Sequence, residues 1–581
     1  MSESGRIPTR LSPDVASLTV LVDGEEISGE FHVLSATISR ELNRIPTASL
    51  HLRDGEAARE TFPASDTEHF LPGREIEIRL GYRGDTESVF TGVVVRHSVR
   101  VRKNETRLDV ELVDRAVRMT TVRRCRQFAD MRDSDVLAEL FAQHGVQADV
   151  ASTQSTLPQV VQYGCSDWDF AVCRAEANGQ VVRVRDGKAT VAPPDMGARP
   201  VVAARFGATL LELDAEIDAR RQPGGVTAQA WNPTDQELLE TEASEPQVTD
   251  SGNLDAADLA GVVATDAEVL RHGGTLSEPE LKAWADARLL LGRLAKVRGR
   301  ARFQGFAGVD AGDVVDVTGI GKRFSGTQYV GGVRHTLTDG NWETDVAFGL
   351  GTGIHAEKYP VTPLPAGGLL AAVNGLQVGV VTALEGDPAG EDRIRVGLPM
   401  LGQADDGLWA RLATLDAGDG RGTYVRPEVG DEVVVGFLDA DPRFPVVLGQ
   451  LHSSAKPAPV PGADDNHLKG YVSRSGITLG FDDEKVAVVV ETPAGNRLTL
   501  SEDAETVSLS DQHGNTVVLD GAGITLESSK DLVLKAAGDL SLNGTKVEVA
   551  AQSTLKVGGQ ASVDINSSGT LTVKGSLVQI N

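Results

Sequence analysis

The sequence predicts a mainly β protein, and three observations carry that expectation. From residue 517 onward an apolar–x–apolar pair returns every seven or eight positions. Residues 15–115 alternate apolar and polar side chains between clusters of turn residues. The 581-residue chain holds 63 glycines but only 4% aromatics, a composition that suits many short strands and turns. A chain of this length is too long for one core, so three or four domains are expected.

The first stretch contains SLTVLVDGEEI, FHVLSATISREL, IEIRLGYRGD and VFTGVVVRHSVRV, which read as half-buried antiparallel strands of a sheet or barrel. The first helix is DSDVLAELFAQHG, with Asp133 or Ser134 as its expected cap and Gly145 as its end. A second, SDWDFAVCRAEANGQ, ends at Asn178-Gly179 and leads into a hairpin, VVRVRDG–KATVAPP, turning on Asp-Gly. Residues 233–277 are acidic and weakly patterned, so a mobile surface excursion is expected there. Ser277 and Glu280 form a capping-box pattern with Pro279 in the first turn, opening the helix EPELKAWADARLLLGRLAKVRG. Strands return to about residue 350, and VTPLPAGG is a linker. Residues 373–455 hold four or five short strands, which fits a small closed barrel such as an OB-fold. A Pro-rich linker, 456–474, then precedes the repeat at 475–581.

The repeat pairs are Val517/Leu519, Ile524/Leu526, Leu532/Leu534, Leu540/Leu542, Val547/Val549, Leu555/Val557, Val563/Ile565, Leu571/Val573 and Val578/Ile580. Longer units precede them: Ile477/Leu479, Val488/Val490, Leu498/Leu500 and Val507/Leu509. Each pair faces one side of a short strand, because side chains alternate with period two. Two inward residues cannot be buried by one strand, so the strands must stack. Three octads make a plausible turn of a single-chain β-helix, but the pattern puts three chains wound together slightly ahead. The acyltransferase helix repeats every six residues, and the GGxGxD calcium repeat is absent. About a dozen strands at roughly 4.8 Å each would give a shaft on the order of 60 Å long.

Net charge is −27, which makes nucleic acid an unsuitable partner. Three cysteines, Cys125, Cys165 and Cys173, lack CxxC spacing and read as reduced thiols rather than a disulfide framework or zinc site. MSESGRIPTR has no apolar core of a secretory signal, and no run approaches the roughly 20 apolar residues of a membrane span. Arg96, Arg100, Arg102, Lys103, Arg107, Arg115, Arg118, Arg123, Arg124 and Arg126 form a basic stretch. It is expected to pair with Glu105, Asp109, Glu111 and Asp114, or else to form a seam towards a neighbouring subunit. The acidic pairs Asp405/Asp406 and Asp482/Asp483 read as solvated turns rather than glycosidase carboxylates. No GxSxG, HExxH or phosphate loop occurs, and His144, Cys165 and Cys173 make no nucleophile–base set. No catalytic residue, cofactor or metal is expected, and no histidine follows His513 to build a metal tip.

The segment from Gly379 to Gly449 resembles the barrel of VgrG-type spike proteins, a family of contractile phage tails and type VI secretion. The resemblance rests on Gly379-Val380-Val381, Asp387-Pro388, Arg393–Val396, Trp409-Ala410-Arg411, Ala417-Gly418, Pro427-Glu428-Val429-Gly430-Asp431-Glu432-Val433, Gly436-Phe437, Asp441-Pro442 and Pro445–Gly449. Fragments Leu42–Pro46, Ala48–Gly55, Trp168-Asp169-Phe170, Arg174–Gly179, Phe324-Ser325-Gly326 and Val333-Arg334-His335 are similar to the hub that precedes this barrel. The layout is most similar to the spikes of extracellular contractile injection systems.

The resemblance implies a hub of two β-barrel-like domains with a few helices (1–360), an OB-fold barrel, and an intertwined trimeric β-helix needle. Ile524, Leu526, Leu532, Leu534, Leu540, Leu542, Val547, Val549, Leu555, Val557, Val563, Ile565, Leu571 and Val573 would form the needle core. It implies a homotrimer carrying −81 from three copies at −27 each. The partners it implies are an inner-tube protein, baseplate proteins, and the target envelope on firing. A PAAR-type tip protein would cover Val578, Ile580 and Asn581. The reduced cysteines and the lack of a signal point to synthesis in a bacterial cytoplasm, and the resemblance implies a place in a phage-tail-like particle, cytoplasmic or released. The competing expectation is a cell-wall hydrolase carried on such a spike, for which 452–475 leaves too few residues.

Overall fold

The computed structural model describes residues 15–103, 105–248, 251–263, 266–402 and 407–580. The chain divides into two compact units, one running to Val373 and taking in Asp439–Asp441, the other holding Asn374–Leu438 and everything from Pro442 onward.

In the first unit the alternating segments pair as antiparallel neighbours. The order runs Leu210–Ile217, Val297–Gln304, Asn341–Phe348, Gly326–Thr338, Val33–Glu41, Thr47–Arg53, Glu105–Val113, Asp85–Arg102, Glu75–Tyr82, Ala16–Val22. The two expected halves share this one sheet, because the 13-residue strand Gly326–Thr338 is long enough to pair with both. Each half keeps its own core. Ile38, Leu50, Leu52, Phe70, Ile78, Phe90, Leu108 and Leu112 fill one, and Val202, Phe303, Val315, Val317, Val330 and Val346 fill the other.

At the seam between the halves lies a buried polar cluster. Arg40 Nε is 3.3 Å from Asp310 Oδ1, and its Nη2 is 3.3 Å from His335 Nε2. His335 Nδ1 is 3.0 Å from Thr344 Oγ1. With Arg40 donating to Nε2, the ring proton sits on Nδ1 and is donated to the threonine. Burial, then the charges of Arg40 and Arg185, push the His335 pKa well below its ordinary value, so the ring is neutral when folded. The unfolded chain protonates this histidine below about pH 6.5 while the folded chain does not. Its contribution is therefore complete above about pH 6.5 and shrinks as pH falls, by about 1.4 kcal/mol per unit. Denaturant titrations at about pH 7 and about pH 5 should show that loss, and His335→Asn should flatten it. An unchanged slope in the variant would assign the loss elsewhere.

Helix α1 (Asp133–Gln143) does not use Asp133 or Ser134 as its cap; Arg132 precedes it with no side-chain cap bond. The Asp133 carboxylate is drawn away by Arg174, which donates from Nε and Nη2 at 2.7 and 2.8 Å, and by Asn178. Helix α2 (Asp167–Ala177) is capped by Ser166, which accepts from Asp169 N–H, and it ends at Asn178-Gly179 with Gly179 at φ +67°. The hairpin Val181–Arg185/Lys188–Ala192 turns on Asp186 and Gly187, both at positive φ.

Residues 233–277 depart from the expected excursion. Glu237–Glu242 and Glu268–His272 flank Val226–Asn232 in a three-stranded sheet, and α3 (Ala256–Val263) lies between them. Leu239, Ala243 and Leu270 give that sheet an apolar side, packed against Leu281, Ala285 and Leu289 of helix α4 (Glu278–Leu294). Ser277 caps α4 through Glu280 N–H, but the Glu280 side chain turns to Arg174 instead of closing a capping box. A short helix, α5 (His355–Lys358), closes against α2, where His355 Nε2 lies 2.8 Å from Asp169 Oδ1.

The second unit opens with a closed barrel: Gln377–Ala383, Ile394–Gly397, Leu408–Leu412, Pro445–Gln450 and Glu432–Phe437. Val381, Ile394, Val396, Ala410, Val433, Val435 and Val447 fill it. A seven-stranded antiparallel meander follows, from Leu468–Val472 to Gly523–Glu527. Its first strand lies inside the stretch read as linker.

Candidate functional site

The meander sorts its side chains into two faces by register. Tyr471, Leu479, Val490, Leu498, Leu509, Val517 and Leu526 stand directly opposite one another across successive strands. Phe481, Val488, Leu500, Val507, Leu519 and Ile524 form a second row beside them. The intervening positions carry mostly Thr, Ser, Gly and charged residues, so one face is apolar and the other polar. The expected pair Ile477/Leu479 is off by two residues. Ile477 lies before the strand Thr478–Asp482 and donates its N–H to the Ser473 hydroxyl, leaving Leu479/Phe481 as the true pair.

Among the described residues, nothing covers the apolar face. Leu479, Phe481, Leu500, Leu509 and Leu526 are each more than 40% exposed. An uncovered apolar sheet face of this extent is uncommon in a soluble monomer.

Past Ser528 the arrangement changes. Asn515 Oδ1 accepts from Ser528 Oγ and Ser529 N–H, and Ser529 Oγ donates to His513 O, tying the chain off beside the last strand. Among the described residues from 530 to 580 the chain forms no strand and no backbone–backbone hydrogen bond. The pairs from Ile524 to Val573 are between 49% and 72% exposed, with Val578 at 48% and Ile580 at 91%. Asn581 lies outside the described residues, as do Asp405 and Asp406. This tail keeps its apolar period while burying none of it.

The barrel motif lies next to the meander's root. Trp409 stands on Leu408–Leu412 under the Arg395 guanidinium, 5.7 Å from its carbon. Pro427 is buried, and the loop after it turns through Gly430 at φ +90°. Asp431 accepts from Glu428 N–H at 2.8 Å and from Lys456 Nζ at 3.2 Å, while Arg474 donates to Glu428 at 2.8 Å. Glu432, Gly436 and Phe437 belong to the strand Glu432–Phe437, and Asp441 and Pro442 to the turn before Pro445–Gln450. The motif is thus a loop scaffold that anchors the first meander hairpin.

The basic stretch is largely neutralised within the sheet. Asp109, 5% exposed, takes Arg100 at 2.5 Å, Arg107 at 2.9 Å and His51 at 2.7 Å. Arg96 pairs with Glu111 at 2.9 Å and Arg107 also with Glu105. Asp114 differs from expectation: its carboxylate accepts the N–H groups of Ala116 and Gly187. Arg115 turns to Glu75, Arg124 and Arg126 to Asp167, and Arg123 to backbone carbonyls of Gly164 and Pro360.

Cys125 is exposed, and Cys165 and Cys173 are partly so. Burial pushes both of the latter thiols up, Cys173 to about 12. Asp482 ends a strand and Asp483 begins the turn after it. Among the described residues no three His, Cys, Asp or Glu side chains gather as a metal cluster. No helix among them is long and apolar enough to cross a membrane.

Family models match in three blocks. Residues 12–339, more than half of the chain, match the Alg8 N-terminal domain. Residues 377–452 match the type VI secretion system/phage-baseplate injector OB domain, and residues 487–581 the phage baseplate V C-terminal trimerisation domain. The chain belongs to the Alg8 N-terminal domain family, and it is a VgrG-type spike. Among curated relatives, the spike protein VgrG1a of Pseudomonas aeruginosa is 25% identical over 314 residues, 48% of each chain. VgrG4b of the same organism is 40% identical over 94 residues, 15% of this chain and 12% of that one. This spike protein spans about half or less of the length of those relatives. Among solved structures, a tail protein from Neisseria meningitidis aligns at TM-score 0.44 and 15% identity, over 60% of this chain and all of that one. The PdpA–VgrG complex of Francisella aligns at TM-score 0.38 and 9% identity, over 89% and 88%.

Proposed function

We propose that this VgrG-type spike is the central, trimeric shaft of a contractile injection machine. The observation that carries the reading is the uncovered apolar ladder, continued by a tail that forms no backbone–backbone hydrogen bond among the described residues. Three copies placed about an axis turn three bare faces inward, and their tails supply one another's backbone partners. Each tail unit then buries two aliphatic side chains, worth roughly 1.5–3 kcal/mol apiece as an upper figure. The needle core is Ile524 through Val573 at the positions of the period.

Residues 1–360 act as the hub that receives the inner-tube protein and baseplate proteins. Residues 373–455 form the barrel, 456–474 the connection, and 475–581 the needle. A PAAR-type tip protein covers Val578, Ile580 and Asn581, since exposed apolar side chains such as Val578 and Ile580 call for a partner. The spike is made in the bacterial cytoplasm, carries effectors or its tip within a phage-tail-like particle, and is driven into a target envelope without bond-making chemistry. The raised thiols of Cys165 and Cys173 support that non-enzymatic reading. The short span between Pro445–Gln450 and Leu468–Val472 works against an inserted hydrolase domain.

Light scattering on the purified chain tests the reading. Three chains of 61.4 kDa give about 184 kDa, and the mass should rise on mixing with the system's tip candidate at micromolar concentration. A monodisperse monomer with an ordered tail would sink the proposal.

A further inference from the structure

Within the first unit, α2, α4, α5 and the strand Glu268–His272 enclose a cavity of about 360 Å³. That lies within the roughly 300–1,000 Å³ of small-molecule sites. Its walls are mostly apolar: Leu270, Trp284, Leu290, Leu294, Leu350 and Ile354. The spike's mechanical role uses none of it.

Two polar side chains in the lining are left wanting. Gln180 is 4% exposed; its Nε2 donates to Ala151 O at 3.1 Å, which fixes Oε1 as the acceptor, and Oε1 has no partner. Such an orphan acceptor destabilises the fold unless a donor reaches it. Glu176 accepts from Asn43 Nδ2 at 2.9 Å and from His355 N–H at 2.7 Å, yet among the described residues it forms no ion pair. Burial pushes its pKa up, against the opposing pull of the His355 N–H, Asn43 and the more distant charge of Lys358. Glu268, also in the lining, is already satisfied by Arg288 at 2.8 Å.

We propose that this cavity binds an organic cation, an ammonium carried on an apolar or aromatic body. An ammonium is donor-only and positive, so it meets both wants at once. The Trp284 ring adds a π face for the charge, and the leucines take the apolar body. An anion would face Glu176 unscreened, and a plain hydrocarbon would leave both polar groups as they are. The ammonium belongs either to a free amine or to a lysine side chain of a partner segment.

Calorimetry on the full chain near neutral pH tests this with 2-phenylethylammonium and with 2-phenylethanol, its neutral near-isostere. The amine should bind once per chain, and the alcohol about tenfold more weakly or worse. Glu176→Gln should weaken the amine by about tenfold and leave the alcohol unchanged. Gln180→Leu should weaken the amine as well. A peptide, acetyl-Leu-Lys-Leu-amide, separates the sources: binding tighter than the free amine assigns the site to a partner's lysine, and weaker binding assigns it to a small molecule. Equal binding of amine and alcohol to the unaltered chain overturns the proposal. So does an amine that gives no heat up to about 10 mM, or a Glu176→Gln chain that keeps full affinity.

Discussion

Replacing Leu540 or Ile565 by aspartate should break the assembly into single chains. In the proposed needle, three copies of the altered position meet in one layer around a dry axis. Each substitution removes an aliphatic group worth roughly 1.5–3 kcal/mol and adds a carboxylate whose burial costs several kcal/mol. Three carboxylates in one layer also repel each other, so the combined penalty exceeds what neighbouring layers supply. Light scattering should fall from about 184 kDa towards 61.4 kDa. The heat-resistant band on a denaturing gel should vanish with it. Lys556→Asp, outside the apolar pairs, is the control and should leave the assembly whole. An intact, heat-resistant trimer in Leu540→Asp would refute the inward placement.

Asp310→Ala should lower the stability of the first unit by about 3–5 kcal/mol, the cost of leaving one charge of a buried pair alone. Arg40 is 2% exposed, and Asp310 at 3.3 Å is its ion-pair partner, with the Val309 carbonyl and His335 completing its surroundings. His335 cannot take over the role, because it is neutral and already a hydrogen-bond acceptor. Pairing Asp310→Ala with Arg40→Met should recover most of the loss, since the buried charge then disappears altogether. Thermal melts of the three variants check this. A single variant within about 1 kcal/mol of the parent would mean the seam is held by its apolar neighbours alone.

Legibility in the sequence followed how local each signal was. The needle period could be read by eye because Leu532/Leu534 and the pairs after it depend only on neighbours two residues apart. Ile477 misled for the same reason: the i, i+2 spacing was right, but the turn at Ser473 starts the strand one residue later. Residues 237–272 hid their strands because Glu237, Glu240 and Glu242 outnumber the apolar positions. Leu239, Ala243 and Leu270 reach α4 there, and a helix some forty residues away in sequence from Leu239 cannot be foreseen locally. Asp133 looked like a cap until Arg174 claimed it across 41 residues. The cation cavity had no sequence signature, since Asn43, Gln180, Trp284 and Ile354 meet only through the fold.

The tie-off at Asn515, Ser528 and Ser529 separates a foundation that pairs its own backbone from an extension that does not. A newly synthesised chain can therefore pair the strands of its foundation on its own, by a first-order process, while their apolar face stays bare. In the proposed trimer its extension must wait for two companions, whose arrival depends on how crowded they are. Zippering then runs outward from the foundation in one direction, because the aligned meanders set the register before the extensions touch. Dilution should slow the maturation of the extension while sparing the strand pairing upstream.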